Sequence, residues 1–224
     1  MLWTPKRLSP YGWWRADIAD VVSGKVAALP DQSGNGHHLV QTNDALRPQY
    51  VLNVAGRKNQ PCVQSTSAGQ LLTAAGVTLP RECAIWVVTG SVTSGGFAMT
   101  HLVGSNRTHY LYLPGVAGFN VTNAAGSLYF ARFSTWVTAS RSLLGIYDGA
   151  AIDVFSNNVN ANGSTTGAPF APSSLTGTLG LLCSADGVNP SLMQVFEAAV
   201  FPAAMLSAVN RGLLHTYQSA RYQP

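Results

Sequence analysis

The sequence predicts an all-β fold, a sandwich of two antiparallel sheets that ends in one C-terminal α-helix. Three observations support this fold class. Short apolar runs alternate with turn residues from position 84 onward, an Asp-Gly pair separates two of these runs, and apolar residues recur at helical spacing after position 202. Short strands at such spacing are typical of β-sandwiches, and Asp-Gly between apolar runs is a strong hairpin signal.

Length and composition agree with one large β domain. The chain has 224 residues, of which 10% are charged, against roughly 25% in an average soluble domain. Because β-sandwiches reach roughly 200 to 250 residues as one unit, residues 1–224 are predicted to form a single domain. A mean hydropathy of +0.13 with 22 Gly and 12 Pro argues against disorder and coiled coil. No apolar run reaches the roughly 18 residues of a spanning helix, so we expect no membrane partner.

The first third of the chain consists of short extended segments separated by Gly and Pro. These segments are predicted at residues 13–17, 26–29, 39–41 and 47–50. Residues 31–38 are predicted to form a compact turn, because Gly34 and Gly36 permit left-handed backbone angles and the Asp31 carboxylate accepts local backbone hydrogen bonds.

From residue 84 onward the apolar runs are predicted strands. They cover residues 84–90, 97–103, 110–113, 127–133, 143–148, 151–156, 178–183 and 193–201. Asp148 and Gly149 are predicted to connect two of them as a hairpin. Residues 157–174 are rich in Asn, Gly, Ser, Thr and Pro, which predicts a long surface loop.

The end of the chain has the pattern of an amphipathic helix, predicted over residues 203–221. Ser207 suits its N-cap, because a hydroxyl there accepts a hydrogen bond from an otherwise unpaired backbone amide. We expect one apolar face to pack on the sandwich. That face consists of Met205, Leu206, Val209, Leu213, Leu214 and Tyr217.

Charge and cysteine content exclude several function classes. The 13 Lys and Arg are offset by 9 acids, and the basic doublets at 6–7 and 57–58 form no stripe, so we expect no nucleic-acid partner. The first residues lack the basic segment and apolar stretch of a secretory signal, so we expect synthesis in a host cytoplasm without export. Cys62, Cys83 and Cys183 have no metal-binding spacing and are predicted to be buried free thiols.

Several motifs in order resemble the concanavalin A-like lectin/glucanase superfamily, in particular the laminin-G-like modules common in bacteriophage and bacterial surface proteins. The resemblance implies a two-sheet jelly-roll. The motifs are Leu2-Trp3-Thr4-Pro5, the strand at 14–17, the Asp-x-Ser-Gly-Asn-Gly turn at 31–37, Arg47-Pro48-x-Tyr50, and the closing strand and helix with Glu197-Ala198-Ala199-Val200-Phe201, Leu206-Ser207 and Ala220-Arg221-Tyr222.

Catalytic chemistry is not predicted. A glycosidase needs two carboxylates across the scissile bond, but Glu82 and Glu197 are the two glutamates of the chain and no glucanase-like Glu-x-Asp-x-Glu pattern occurs. Glu197 is expected on the face of Met193, Val195 and Phe201, hydrogen-bonded to structure.

A lyase site around His109 is equally disfavoured. A lyase needs a base beside a neutralising cluster, and alternation along a strand separates His109 from Tyr110 and Tyr112. We therefore expect a protein that is not an enzyme.

The turn at residues 31–38 offers the candidate metal ligand. Laminin-G-like modules often bind calcium, and the Asp31 carboxylate is the kind of oxygen ligand that this ion prefers. One carboxylate is a small share of the six to eight oxygens that calcium needs. A purely hydrogen-bonded turn without any cofactor is therefore the favoured interpretation, with calcium as its alternative.

Aromatic residues are the candidate ligand or partner contacts, because exposed rings stack on sugars and anchor interfaces. Alternation directs Trp13 and Trp14 to opposite faces, so one is expected in the core and the other outside. Residues 1–12 are predicted to serve as an attachment arm. The candidate contacts are Trp3, Tyr11, Trp13, Trp14, Tyr110 and Tyr112.

The resemblance leads to the functional hypotheses. The first is a bacteriophage virion protein that decorates the head or associates with a fibre, located in the virion and bound to a major capsid or tail protein, with homo-oligomers as a further assembly. The alternative is a carbohydrate-binding lectin domain with cell-surface glycans as partners. A polysaccharide hydrolase or lyase ranks behind both.

Overall fold

The computed structural model describes residues 3–113, 118–122, 127–133, 142–167, 169–170, 173–184, 186–187 and 191–223. Among these residues the one α-helix is α1 (Ala208–Tyr222). The strands are β1 (Gly12–Arg15), β2 (Asp20–Val22), β3 (Lys25–Leu29), β4 (Leu39–Val40), β5 (Gln49–Val51), β6 (Cys62–Gln64), β7 (Leu72–Pro80), β8 (Cys83–Ser94), β9 (Gly96–Val103), β10 (Asn106–Leu113), β11 (Gly118–Thr122), β12 (Leu128–Phe133), β13 (Ser142–Tyr147), β14 (Ile152–Ser156), β15 (Val159–Asn160), β16 (Asn162–Thr166), β17 (Ser174–Leu181) and β18 (Leu192–Pro202).

The strands form two antiparallel layers. In the first layer β1 and β6 flank one side of β18, and β8, β13, β14 and β15 follow on its other side. The second layer has the order β16-β12-β11-β10-β9-β17-β7-β4. Strands β3 and β5 connect the layers at one edge. The predicted fold class, an antiparallel jelly-roll sandwich with one C-terminal helix, is confirmed.

The apolar residues form two cores. The main core lies between the layers and includes Trp14, Ile85 and Phe119. A second core lies on the outer face of the first layer, beneath α1, and includes Trp13 and Trp86. Successive side chains of a strand point to opposite faces, so β1 supplies one tryptophan to each core.

The helix is capped by Ser207 as predicted, but it begins at Ala208, and Ala203–Met205 of the predicted range forms a 3-10 helix. The predicted apolar face is confirmed in part: Leu206 and Leu214 lie in the second core, and Met205 and Tyr217 pack against it. Ser207 caps it by accepting a hydrogen bond from the Asn210 amide at 3.3 Å. The buried positions are Leu214, Gln218 and Tyr222, four residues apart and therefore on one stripe. Val209 and Leu213, which the spacing placed on the apolar face, are 72% and 38% exposed. Hydrogen bonds from Tyr217 and Tyr222 to Glu197 orient the helix this way.

The expected surface loop at 157–174 is wrong over most of its described length. Strands β15 and β16 occupy residues 159–160 and 162–166, and β16 pairs with the edge of β12. The Asn162 side chain also accepts a hydrogen bond from the Val154 amide at 2.8 Å. An edge strand whose side chains are mostly exposed needs no apolar residues. The polar composition of residues 157–174 therefore predicted a loop where strands form. Residues 168, 171 and 172 of that stretch lie outside the described part of the chain.

Other local predictions are confirmed. Tyr147 pairs with Ile152 across the Asp-Gly turn, where Gly149 has a φ of +96°. All three cysteines are free and buried, and burial raises the pKa of Cys62 to about 12. In the described part of the chain, no helix has the length and apolar character needed to cross a bilayer.

Candidate functional site

The N-terminal aromatic residues do not form one cluster. Trp13 and Trp14 are 4% and 0% exposed, so the expectation that one of them lies outside is wrong. Helix α1 covers the outer face of the first layer and buries Trp13, whereas Trp14 donates its indole N–H to the His37 carbonyl at 2.7 Å. Tyr11 is half-buried against the main core. Trp3 is half-buried and meets the Tyr217 ring edge-on, with ring centroids 6.0 Å apart.

The described part of the predicted attachment arm lies against its own domain. Pro5–Leu8 forms a short 3-10 helix whose Pro5 and Leu8 side chains are buried, and Leu8 belongs to the second core. Residues 1 and 2 of the predicted arm lie outside the described residues. An apolar residue in this position covers hydrophobic surface, so the segment from Trp3 onward is part of the folded sandwich.

Glu197 is a structural acid. It is 1% exposed, and its carboxylate accepts hydrogen bonds from Trp13 Nε1 and from the hydroxyls of Tyr217 and Tyr222. It shares a face with Phe201, as expected, but the prediction that Met193 and Val195 lie on that face is wrong, because both belong to the main core. The register of β18 against β8 shifts between Val195 and Glu197, and such a bulge moves the following side chains to the other face.

Asp31 organises the predicted turn. Its Oδ1 accepts from the amides of Trp13 (3.0 Å) and Ser33 (2.8 Å), and its Oδ2 accepts from Ser33 Oγ (2.7 Å) and the His37 amide (3.0 Å). Burial alone would raise the pKa of Asp31, but these hydrogen bonds lower it. In the described chain no three His, Cys, Asp or Glu side chains lie close enough to hold a metal. Calcium binding at Asp31 therefore stays a prediction, and the described residues supply no cluster of further His, Cys, Asp or Glu ligands beside it.

The histidines beside the tyrosines point into the sandwich. His109 and Leu111 are fully buried while Tyr110 and Tyr112 are half-buried on the opposite face, as alternation predicts. His109 Nε2 lies 2.9 Å from the Arg81 carbonyl. Burial lowers the pKa of His109 to about 3, so this imidazole is neutral and shielded from any substrate at the outer face.

The outer face of the second layer carries an aromatic surface, which we call the tyrosine face. Four adjacent strands, β9 to β12, supply its side chains. They are Phe97, Tyr110, Tyr112, Asn120, Phe130 and Arg132. Tyr110 lies opposite Asn120, which lies opposite Phe130, and Tyr112 lies opposite Phe97. Directly opposed side chains in antiparallel strands are near neighbours, so the register places these groups side by side.

Ring contacts hold the tyrosine face together. Phe97 is 4% exposed and meets the rings of Tyr110 and Tyr112 edge-on, at centroid distances of 5.1 and 5.4 Å. The Arg132 guanidinium lies 4.2 Å from the centroid of the Phe130 ring. Such edge-to-face and cation–π contacts each add to the stability of the arrangement. Burial raises the pKa of Tyr110, so its hydroxyl stays protonated and able to donate.

Asn120 places a polar group without a hydrogen-bond partner just below this surface. The residue is 1% exposed, yet among the described residues its Nδ2 has no hydrogen-bond partner. A buried amide without any partner is costly, and in native proteins such groups are commonly satisfied by ordered water. Because this amide is buried, the groups that the tyrosine face offers to a ligand are aromatic rings and tyrosine hydroxyls, which suit a ligand with both apolar C–H surface and hydroxyl groups.

Two members of this surface, Tyr110 and Tyr112, are among the contacts predicted from the sequence, and the others are not. Phe97, Asn120, Phe130 and Arg132 lie on other strands, and their alignment with Tyr110 depends on the register between strands. Alternation along residues 127–133 does place Phe130 and Arg132 together on one face, and this is the signal that was available.

Comparison with known proteins shows similarity of fold. No protein-family model and no curated protein sequence matches the chain. Domain 4 of an extracellular GH43 arabinanase from Geobacillus stearothermophilus, solved with arabinotriose, superposes with a TM-score of 0.61 at 13% identity, over 91% of this chain and 97% of that one.

Two botulinum neurotoxin D structures are also similar. The receptor binding domain has a TM-score of 0.63 at 10% identity, over 95% of this chain and 54% of that one. The ligand binding domain in complex with N-acetylneuraminic acid has a TM-score of 0.59 at 9% identity, over 94% and 51%. The chain thus spans about half the length of the neurotoxin domains. At these identities the likeness establishes the jelly-roll β-sandwich fold.

Proposed function

We propose that this protein is a non-catalytic glycan-binding domain and that the tyrosine face is its binding surface. The observation that carries the proposal is the clustering of two half-buried tyrosines, Tyr110 and Tyr112, around the Phe97 ring on adjacent strands. Pyranose and furanose rings offer C–H faces to aromatic rings and hydroxyls to the hydroxyl groups of tyrosines, so this set of groups matches the chemistry of a sugar.

The sheet makes the surface suitable for recognition. Tyr110, Tyr112 and Asn120 stand on paired strands and are fixed by backbone hydrogen bonds. Groups that are already ordered before binding lose little conformational entropy when the ligand arrives. A hydroxyl-rich ligand therefore binds without prior rearrangement of this surface.

The absence of catalysis in the proposal rests on Glu197. Its carboxylate is buried and already accepts three side-chain donors. A general acid needs contact with the substrate, which the position of Glu197 denies. The arabinanase domain was solved in complex with arabinotriose, and one neurotoxin structure in complex with N-acetylneuraminic acid. Sugars are therefore the first ligands to test.

The virion hypothesis stays a prediction from the resemblance of the sequence. Attachment by residues 1–12 loses support, because Leu8 belongs to the second core. A glycan-binding surface on the second layer is compatible with display on a particle, since that layer lies on the opposite side of the sandwich from α1.

The proposal is tested by screening the purified chain on a glycan array and measuring the affinity of any hit by calorimetry. Tyr112→Ala is expected to weaken binding about tenfold or more, as loss of an aromatic anchor does, whereas Tyr112→Phe retains most of the affinity. Val159→Ala serves as control, because Val159 is 68% exposed on β15 of the first layer. Thermal melts confirm that each variant is folded. An array without hits, or a Tyr112→Ala variant that binds like the parent, overturns the proposal.

A further inference from the structure

A groove lies between the N-terminal segment and α1, on the opposite side of the sandwich from the tyrosine face. Its volume is about 460 Å³, and its walls include Trp3, Arg15, Tyr217 and Arg221. Binding sites for small molecules commonly measure roughly 300 to 1,000 Å³. The groove is therefore large enough for one sugar residue or a molecule of similar size.

Two guanidinium groups in this wall share one carboxylate. Arg15 Nη2 and Arg221 Nη2 each lie 2.5 Å from Asp17 Oδ2. Burial alone would raise the pKa of Asp17, but the hydrogen bond from Arg15 and the charge of Arg221 lower it, so the acid is ionised. Asp17 and the buried Glu197 carboxylate both face these two cations, so the wall offers guanidinium N–H donors in fixed positions to a ligand rather than a large excess of positive charge.

Each arginine keeps a donor for a ligand. Arg15 uses Nε and Nη2 on Asp17, and Arg221 uses Nε on the Tyr222 hydroxyl and Nη2 on Asp17. Within the described chain, no hydrogen bond engages Nη1 of either residue. Guanidinium groups recognise carboxylates through such N–H donors. Glu197, the other acid nearby, is sealed below by the hydroxyls of Tyr217 and Tyr222.

The remaining wall is apolar and aromatic. The Trp3 ring stands edge-on to Tyr217, and Leu213, which is 38% exposed, lies along the same groove. An indole beside an exposed leucine contacts the C–H face of a ring-shaped ligand, and the guanidinium groups contact its charge. The aromatic part of the wall thus suits the ring of a ligand, and the arginine part suits a negatively charged group on the same ligand.

We propose that this groove is a second binding site, separate from the tyrosine face, and that it takes a carboxylated sugar residue. The ligand carboxylate pairs with the free Nη1 donors of Arg15 and Arg221, and its ring packs on Trp3. The sugar class rests on the proposed function, whereas the carboxylate specificity rests on the arginine pair alone. Asp17 holds both guanidinium groups in place before the ligand arrives, which lowers the entropic cost of binding.

The test compares glucuronate with glucose, its neutral counterpart, by saturation-transfer NMR and calorimetry on the full chain. Glucuronate is expected to bind about tenfold or more tightly than glucose, and both Trp3→Ala and Arg221→Gln are expected to lower its affinity about tenfold. Arg7→Gln is the matched control, because Arg7 is an exposed arginine of the same segment, and it should bind like the parent.

The variant Tyr112→Ala separates this proposal from the previous one. It should leave glucuronate binding unchanged while it weakens the binding of glycans at the tyrosine face about tenfold or more. Equal affinity for glucuronate and glucose, or glucuronate binding that survives both Trp3→Ala and Arg221→Gln, overturns the groove site. Loss of glucuronate binding in Tyr112→Ala would also overturn it, because the acid would then bind at the tyrosine face. Melting curves verify that Trp3→Ala is folded, so it remains decisive if Arg221→Gln is unstable.

Discussion

Trp13 donates its indole N–H to Glu197 Oε1 at 2.5 Å, and this hydrogen bond joins β1 to β18 inside the second core. The hydroxyl of Tyr222 donates to the other carboxylate oxygen, also at 2.5 Å. One buried carboxylate therefore connects the first strand, the last strand and the helix. Buried polar groups that are fully hydrogen-bonded favour one arrangement of the surrounding elements over others.

Replacement of Glu197 by Ala should destabilise the fold strongly. The substitution leaves the donors of Trp13 and Tyr222 buried without acceptors, and each such group costs about 1–3 kcal/mol. We expect a loss of about 3 kcal/mol or more in the free energy of unfolding, measured by urea denaturation. Glu197→Gln retains a carbonyl acceptor and should lose less. A Glu197→Ala variant within about 1 kcal/mol of the parent would show that this network contributes little.

The ionisation of Asp31 should make the free energy of unfolding depend on pH in the acid range. The pKa of Asp31 is lower in the folded chain than its ordinary value of 3.8, so the folded state holds fewer protons than the unfolded state in that range. Its contribution is complete above 3.8 and is lost as the pH falls through the lowered pKa. Asp31→Asn should be less stable than the parent near neutral pH, and the difference should shrink in acid. Chemical denaturation across this range measures both, and a gap that stays constant with pH would contradict the assignment.

Two neighbouring leucines of α1 should differ sharply. Leu214 is 2% exposed in the second core, whereas Leu213 is 38% exposed. Leu214→Ala is expected to cost about 2–5 kcal/mol, as buried leucines do, and Leu213→Ala less than about 1 kcal/mol. Thermal unfolding of both variants measures the difference. Similar losses from the two substitutions would mean that the helix packs through another face.

Gly145 and Gly212 should respond to alanine in opposite directions. A Cβ on Gly145 would lie 2.2 Å from Phe119 Cγ, whereas a Cβ on Gly212 would meet no atom within 4 Å. Gly145→Ala is expected to destabilise by about 1–3 kcal/mol through overpacking. Gly212→Ala, in the helix, should stabilise by up to about 1 kcal/mol. Unfolding free energies of the pair test this, and a neutral Gly145→Ala would show that Phe119 moves aside easily.

Local patterns predicted β8, β9, β10, β12, β13, β14 and the Asp-Gly turn, because alternation and turn chemistry depend on residues close in sequence. They missed β11. The same alternation separated His109 from Tyr110 correctly. Alternation along one segment could not predict contacts between segments that are distant in the sequence. Nothing near Trp13 in the sequence indicates that α1 covers it. For this reason one tryptophan was expected outside, although both are buried.

The candidate site was predictable to a similar degree. Tyr110 and Tyr112 were identified as contacts, but their alignment with Asn120 follows from strand register, which is set by the pairing of whole strands. The bulge before Glu197 likewise comes from the pairing of β18 with β8. Strict alternation takes no account of it and therefore placed Glu197 on the face of Met193 and Val195, which belong to the main core.

The pairing of β1 with β18 has a consequence for synthesis of the chain. Trp13 and Glu197 are 184 residues apart, so the second core cannot close before Glu197 and the following helix α1 have left the ribosome. Until then the indole of Trp13 and the outer face of β8 have no cover, and exposed apolar surface of this kind invites aggregation. Contacts between such remote segments also form slowly. Folding of this protein therefore ends with the arrival of the helix, and a chain stopped before residue 208 would display an uncovered apolar face.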